Sequence, residues 1–450
     1  MKRILVSLLV LSLIFTACCT LPTAGQATIE KELVIISPNA KGILDSNKAA
    51  FEKYCSDVLK TPVTLTYSYY ASEDCYKLAK EWGGKPKADI WWGGGVDLFQ
   101  TATRDNLLLQ YKCKDWAKIP SDLYGIPAKD TNGAWTGCVV SGFGLAIHVD
   151  YLKKYNLAEP KSWKDLLNPI YRGHIVMCTP TRSGSTHMMA EIVLQGMGAD
   201  PGWAYFRKMA ANVALFTSRS GDVINDINKG EHGIGLVVDY YGFESAIAGL
   251  PVKLVYPSDY SLANPDSIAI LAGAPHPEAA KAFLDYLMSE EGQKLGMGVE
   301  QRGVKCPSPR LPVRTDLTVP SYLPDITKMK MITYNATLSN ARWGDVNTIF
   351  ENTIEKKHAE LKDAWKAIET GKAKLDELAG KGYDVKDAQS RLTAAEALFG
   401  TGDYAKARTE ADAAAGLAKA PPPYDVYAAV VVVVLVLVAA VFFLRRKKVK

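Results

Sequence analysis

The residues with the most pointed chemistry are Tyr240-Tyr241, preceded by Asp239. Two adjacent phenolate oxygens and a carboxylate suit a hard trivalent cation such as Fe(III), whose charge lowers the pKa of its ligands. The same residues equally suit an aromatic wall for an organic ligand, or ordinary packing. A second group is Thr179-Pro180-Thr181-Arg182-Ser183-Gly184-Ser185-Thr186. Read as a loop from a strand into a helix starting near Thr186, it is an oxyanion cradle. Free amides and the positive end of the helix dipole favour an anion there, the hydroxyls of Ser183, Ser185 and Thr186 add donors, and Arg182 adds charge. The competing reading is a plain helix N-cap. Gly93 and Gly94 let a ligand approach the backbone, or make a simple turn. Ser37 and Asn39 stand in a turn-rich stretch, 37–42, and complete the candidate set. Ser183, Ser185 and His187 also raise a surface serine hydrolase, although no Gly-x-Ser-x-Gly elbow is present.

These loops need strands to carry them. Short apolar runs, Glu32-Leu33-Val34-Ile35-Ile36, Val63-Thr64-Leu65-Thr66-Tyr67 and Ala88-Asp89-Ile90-Trp91-Trp92, read as buried strands. So do His174-Ile175-Val176-Met177-Cys178, Gly233-Ile234-Gly235-Leu236-Val237-Val238 and Ser267-Ile268-Ala269-Ile270-Leu271. Helical patterns lie between them, the clearest over 277–288 with Ala280, Phe283, Leu284 and Leu287 on one face. Strands alternating with helices predict a parallel sheet covered on both faces. Ligands of such sheets sit outside the carboxyl ends of the strands. Stretches 37–42, 93–95, 179–186 and 239–242 all follow strand ends, which predicts one shared crevice.

Past about residue 345 the texture changes. Ile354, Leu361, Ile368 and Leu375 recur every seven residues, with Ala364 and Leu378 at the alternate positions, a short heptad seam. Two Ala-rich helices follow, around 385–399 and 403–419, and Pro421-Pro422-Pro423 makes a stiff link. The expectation is a helical spacer.

Both chain ends carry membrane signals. Met1-Lys2-Arg3, an apolar run over 4–15 and small residues predict a secretory signal cleaved near Ala27; Phe15-Thr16-Ala17-Cys18 loosely resembles a lipoprotein cleavage box. Residues 428–444 are uncharged, and at about 1.5 Å of rise per residue they just cross a hydrocarbon core of about 30 Å. Arg445, Arg446, Lys447 and Lys448 follow, placing that end in the cytoplasm and the body outside. The net charge is +5, and these residues with Lys450 account for it. The rest is balanced and shows no basic stripe, which excludes nucleic acid as a partner. Six cysteines lie in the body, an even number in an oxidising location, which predicts disulfides, with Cys55–Cys75 and Cys113–Cys138 as nearest-neighbour pairs.

Ala88-Asp89-Ile90-Trp91-Trp92-Gly93-Gly94, Pro160-Lys161-Ser162-Trp163-Lys164-Asp165-Leu166-Leu167, Ser183-Gly184-Ser185 and Pro277-Glu278-Ala279-Ala280-Lys281-Ala282-Phe283 come in that order. The series resembles the type 2 extracellular solute-binding proteins of ABC importers, in the ferric-iron-binding group, over roughly residues 32–320. The resemblance implies an α/β, two-lobed periplasmic-binding-protein-like fold; the C-terminal helical stalk and the one transmembrane helix, read from the residues themselves, fall outside the family core. It implies paired tyrosine ligands to iron at Tyr240-Tyr241 and an anion partner on Ser183-Gly184-Ser185. The chain departs from the pattern at two further ligands. It has no His in 37–42, and Gly93-Gly94 stands where some members have a Glu.

The expected organisation is a signal over 1–27, one lobe from 32–139 with 265–320, and a second lobe over 140–264. A closing segment over 321–345, a helical stalk over 346–420, a linker over 421–427, a transmembrane helix over 428–444 and a basic cytoplasmic tail over 445–450 follow. The expected function is a non-enzymatic receptor on the extracellular face of the cell membrane, held by its C-terminal helix and delivering to an ABC permease. Its ligand is Fe(III) with a synergistic anion, held by Tyr240 and Tyr241, with Ser37, Asn39, Gly93, Gly94, Ser183, Gly184, Ser185, Thr186 and Asp239 around it. A phosphonate or other small organic anion is the alternative ligand, and a surface serine hydrolase the alternative activity.

Overall fold

The structure, a computed structural model, describes residues 28–421 and 424–446, without the side chains of 327, 424–427, 429 and 442–446. The predicted signal, with Cys18 and Cys19, and the tail beyond Arg446 lie outside the described residues.

The β-branched runs form strands as their patterns require. Glu32–Ser37 lies between Thr64–Tyr69 and Ile90–Trp92, all parallel. In the second half Ile175–Cys178 lies between Ile234–Val238 and Val213–Thr217, again parallel. Two long strands join the halves. Thr136–His148 pairs antiparallel with Ala263–Leu271 along its first part and with Ile234–Val238 along its second. Ala263–Leu271 in turn pairs antiparallel with Ile90–Trp92. The result is a mixed α/β, two-lobed architecture whose lobes share these crossing strands.

Thr136–His148 escapes the sequence patterns because Gly137, Gly142 and Gly144 interrupt its apolar run. The structure shows what these glycines do. A Cβ on Gly144 would lie 2.5 Å from the Val255 carbonyl oxygen, and one on Gly142 would lie 2.8 Å from the Tyr256 ring. The Val255 backbone and the Tyr256 ring pass too close for a side chain.

The six body cysteines are all free thiols and all buried, so the expected disulfides are absent. Cys55, Cys75, Cys138 and Cys178 sit on four different elements, Cys113 and Cys306 on connecting segments, all as small core residues. Cys138 accepts from Trp92 Nε1 (3.3 Å) and donates to the Asp266 carbonyl (3.2 Å). Burial pushes the thiols of Cys55, Cys113 and Cys138 up to about 12.

The C-terminal helices do not stand off the body. Phe350 is fully buried against Phe206 and Phe216 of the second lobe, ring centroids 6.0 and 5.8 Å away. Helices His358–Gly380, Lys386–Thr401 and Tyr404–Ala414 then pack as a bundle on that lobe. Ile354, Leu361, Ala364, Ile368 and Leu375 are buried in it. The heptad seam thus serves intramolecular packing. Arg172 binds Glu369 across the same junction.

The helix Tyr424–Arg446 covers the run expected as an anchor, and its Val430 and Leu435 are exposed. Among the described residues, no helix is long and apolar enough to cross a membrane. The expected span is therefore not shown by the fold.

Candidate functional site

Strand ends from both lobes meet at an inner cavity of about 50 Å³. It is continued outward by two larger ones of about 640 and 340 Å³, all three lined in part by Tyr69. Three helices from each lobe begin at the inner cavity: Lys41–Tyr54, Ser72–Trp82, Val96–Arg104, Gly184–Met197, Ser220–Lys229 and Asp239–Ile247. Residues within two positions of their starts line it, namely Asn39, Ser72, Gly95, Ser183, Ser220 and Tyr240.

The caps of these helices are unusual as a set. Ser183 Oγ accepts from the Thr186 amide (3.1 Å). The other five begin after Ala40, Ala71, Gly95, Arg219 and Val238, and none of these side chains caps its helix. Helix starts that lack a side-chain cap leave amide donors for another acceptor. Six positive dipole ends aimed at one small space make it favourable for negative charge.

Of the predicted residues, Asn39, Gly94, Ser183, Gly184, Ser185 and Tyr240 line this cavity together. Gly94 has φ +117°, a conformation that favours glycine. Ser37, Gly93, Thr186 and Asp239 are instead used in the wall. Ser37 Oγ donates to the Trp92 carbonyl (2.5 Å) and accepts from the Asn39 amide (3.1 Å). Gly93 has φ +110°, and a Cβ there would strike Asn39 Nδ2 at 2.8 Å. Thr186 is buried in its helix. Asp239 accepts from the Gly142 amide (2.6 Å) and the Tyr256 hydroxyl (2.9 Å), and burial pushes its carboxyl up to about 7.

Tyr240 and Tyr241 lie in the first turn of a helix rather than in an open loop, and their rings stay side by side. Their ring centroids are 4.5 Å apart, but Tyr240 lines the inner cavity and Tyr241 the outer one of about 640 Å³. Burial raises the pKa of both phenols. The Arg310 guanidinium lies 5.6 Å from the Tyr240 ring centroid. No group of three or more His, Cys, Asp or Glu placed to hold a metal occurs among the described residues.

His187 is fully buried, stacks on Trp343 with centroids 3.5 Å apart, and has its pKa lowered to about 3 by burial. It serves packing behind the cavity, and Ser183 serves as a cap. The pair does not form the nucleophile and base that a hydrolase needs.

Sequence reading missed Ser72, Ser220, Asn264 and Asp266. Asp266, on a crossing strand, is paired with the buried Arg310 (3.0 Å), which also donates to Asn39 Oδ1 (3.4 Å). Nothing in the local patterns of these residues marks them. Only the meeting of the lobes does.

Residues 85–324, more than half of the chain, match the family described as bacterial extracellular solute-binding proteins. A phosphoglycerate transport regulatory protein of Salmonella typhimurium is 30% identical over 236 residues, which are 52% of this chain and 57% of that protein. The chain thus spans little more than half the length of that relative. Among solved structures, the periplasmic binding protein AfuA from Actinobacillus pleuropneumoniae, with exogenous fructose-6-phosphate bound, aligns with a TM-score of 0.64. Its identity is 22%, and the alignment covers 71% of this chain and 98% of AfuA. Iron-bound HitA from Pseudomonas aeruginosa aligns with a TM-score of 0.59 at 18% identity, over 71% of this chain and 99% of HitA. Two lobes sharing crossing strands, a cavity at their junction and the match over residues 85–324 agree: the chain belongs to the bacterial extracellular solute-binding protein family.

Proposed function

We propose that this chain captures a small organic anion, a phosphate ester or phosphonate, between its lobes and presents it to an ABC permease. The observation that carries the reading is the convergence of six helix starts, five lacking a side-chain cap, on one small cavity rich in serine hydroxyls. Such a site replaces the hydration of an anion with preorganised donors. The adjoining cavity of about 640 Å³, with Tyr67, Tyr69, Leu44, Ile224 and Tyr241, offers room for the organic part. Similarity to proteins named for phosphoglycerate transport and for bound fructose-6-phosphate supports the same class. No catalytic step is part of the proposal. Tethering to the membrane by residues 428–444 belongs to it, supported by that uncharged run and the basic residues after it.

A second reading, Fe(III) with a synergistic anion, is favoured by the adjacency of Tyr240 and Tyr241 at the cleft and by the fold shared with iron-bound HitA. Native mass spectrometry of the body as purified, with metal analysis, separates the two. A bound phosphorus-containing organic mass without iron supports the first; stoichiometric iron overturns it.

A further inference from the structure

Arg182 is the one cationic side chain, and Asp266 the one acidic one, among the described residues that line the inner cavity. Asp266 is matched by Arg310. Arg182 is matched as well, by a residue from far along the chain. Its Nη2 donates to Glu355, while its Nε donates to Thr179 Oγ1 (3.1 Å). Glu355 lies outside the span that matches the family. It ends a π-helical turn, Glu351–Glu355, a wide turn that is rare and recurs at functional sites.

The approach to that turn is fastened to both lobes. The Tyr334 and Ser339 hydroxyls donate to Asp97, on the helix that starts after Gly95. Arg342 makes two hydrogen bonds to Glu191 (3.0 and 2.7 Å), on the helix that starts after Ser183. Trp343 stacks on His187 and Phe350 is buried on the second lobe. Beyond the turn, His358 Nε2 donates to the Ala210 carbonyl (2.9 Å). Glu355 is therefore held beside the cleft rather than left on a loose surface. Other charges at the outer mouth have partners of their own: Arg219 with Asp222 (3.0 Å) and Lys77 with Glu73 (3.2 Å).

We infer that Glu355 sets the charge selectivity of the cleft by competing with the bound anion for Arg182. The inference rests on the anion reading above. A singly charged ligand is held by the helix starts and leaves the Arg182–Glu355 pair in place. A doubly charged phosphate or phosphonate draws Arg182 inward and must break that pair, which lowers its affinity. The C-terminal helical module thus contributes a specificity-determining residue to a site otherwise built by the two lobes.

The test is calorimetric titration of the folded body at low ionic strength and about pH 8, with inorganic phosphate, methylphosphonate and acetate as probes. In Glu355→Gln, phosphate and methylphosphonate should tighten about three- to tenfold, while acetate changes by less than about twofold. The gain should vanish when Glu355→Gln is made in an Arg182→Gln background. Glu355→Asp, whose shorter arm withdraws the carboxylate, should move affinity the same way by less, and serves if Glu355→Gln does not fold. Normal wild-type binding with no gain in the Glu355 variants, or an equal gain in the Arg182→Gln background, overturns this inference alone. A wild type that binds none of the three probes overturns the anion reading, and this inference with it.

Discussion

Gly184, the first residue of a helix in one lobe, faces Ser72, the first residue of a helix in the other, so closely that a Cβ on Gly184 would lie 2.9 Å from Ser72 Oγ. Two helix starts from different lobes meet there across the cleft, and a side chain on Gly184 would force Ser72 to shift. Gly184→Ala should hold the lobes apart and weaken phosphate or phosphonate binding by about tenfold or more. Gly184→Asp, which adds a negative charge among the donors, should weaken it further. Calorimetry beside a melting curve checks both; unchanged affinity in a folded variant would show that this contact is not part of the bound state.

Burial raises the pKa of both Tyr240 and Tyr241, and the two face different cavities. Titration of the body with Fe(III) is expected to give no charge-transfer colour, with or without added phosphate. Colour that appears in the wild type and is lost in Tyr241→Phe would restore iron ligation by this pair.

Asp239 predicts a pH dependence of stability. Its carboxyl moves from an ordinary 3.8 to about 7 on folding, chiefly through burial, so the folded state holds the proton more tightly. That contribution is fully present below pH 3.8 and is lost as pH rises through about 7. Asp97, pushed up to about 6 by burial, adds a slope of the same sign at slightly lower pH. Melting temperatures of Asp239→Asn should therefore fall less than those of the wild type between about pH 4 and 7. Parallel curves would contradict the assignment.

Phe350 joins the C-terminal bundle to the second lobe through Phe206 and Phe216. Phe350→Ala should cost about 3–5 kcal/mol, by lost burial and the cavity left behind. Chemical denaturation measures the loss. The bundle should also become more open to limited proteolysis around residues 350–358, and an unchanged digestion pattern would argue against its role as the joint.

Membrane topology is tested on intact cells. Added protease should remove the body and leave a small membrane-bound fragment containing residues 428–444. Protection of the body with digestion of the tail would reverse the proposed orientation.

Local sequence determined the parallel strands and the helix faces. Glu32–Ser37, Ile175–Cys178 and Ile234–Val238 are short β-branched runs bounded by turn residues, and such runs bury themselves wherever they lie. The apolar face of Pro277–Met288 was equally legible, because a period of 3.6 needs only its own residues. The cap at Ser183 was open only as the competing reading of its loop, although capping joins residues just three apart.

The rest was decided between distant parts of the chain. The glycines of Thr136–His148 hide a strand from any periodicity, and their reason is the Val255 backbone and the Tyr256 ring lying against them. The heptad seam showed that Ile354, Leu361 and Ile368 would be buried, but not that a lobe and two neighbouring helices would bury them. An even cysteine count in a chain expected to be exported pointed to disulfides, yet bond formation needs two sulfurs within reach, and in the fold all six are free thiols buried in the core. Tyr240 and Tyr241 are neighbours in sequence, but a helix beginning at Asp239 turns consecutive side chains toward different cavities. Ser72, Ser220 and Asn264 carry no local mark at all. They belong to the site because the ends of separate elements converge there, and the Arg182–Glu355 pair is legible only once the last third of the chain has folded back onto the second lobe.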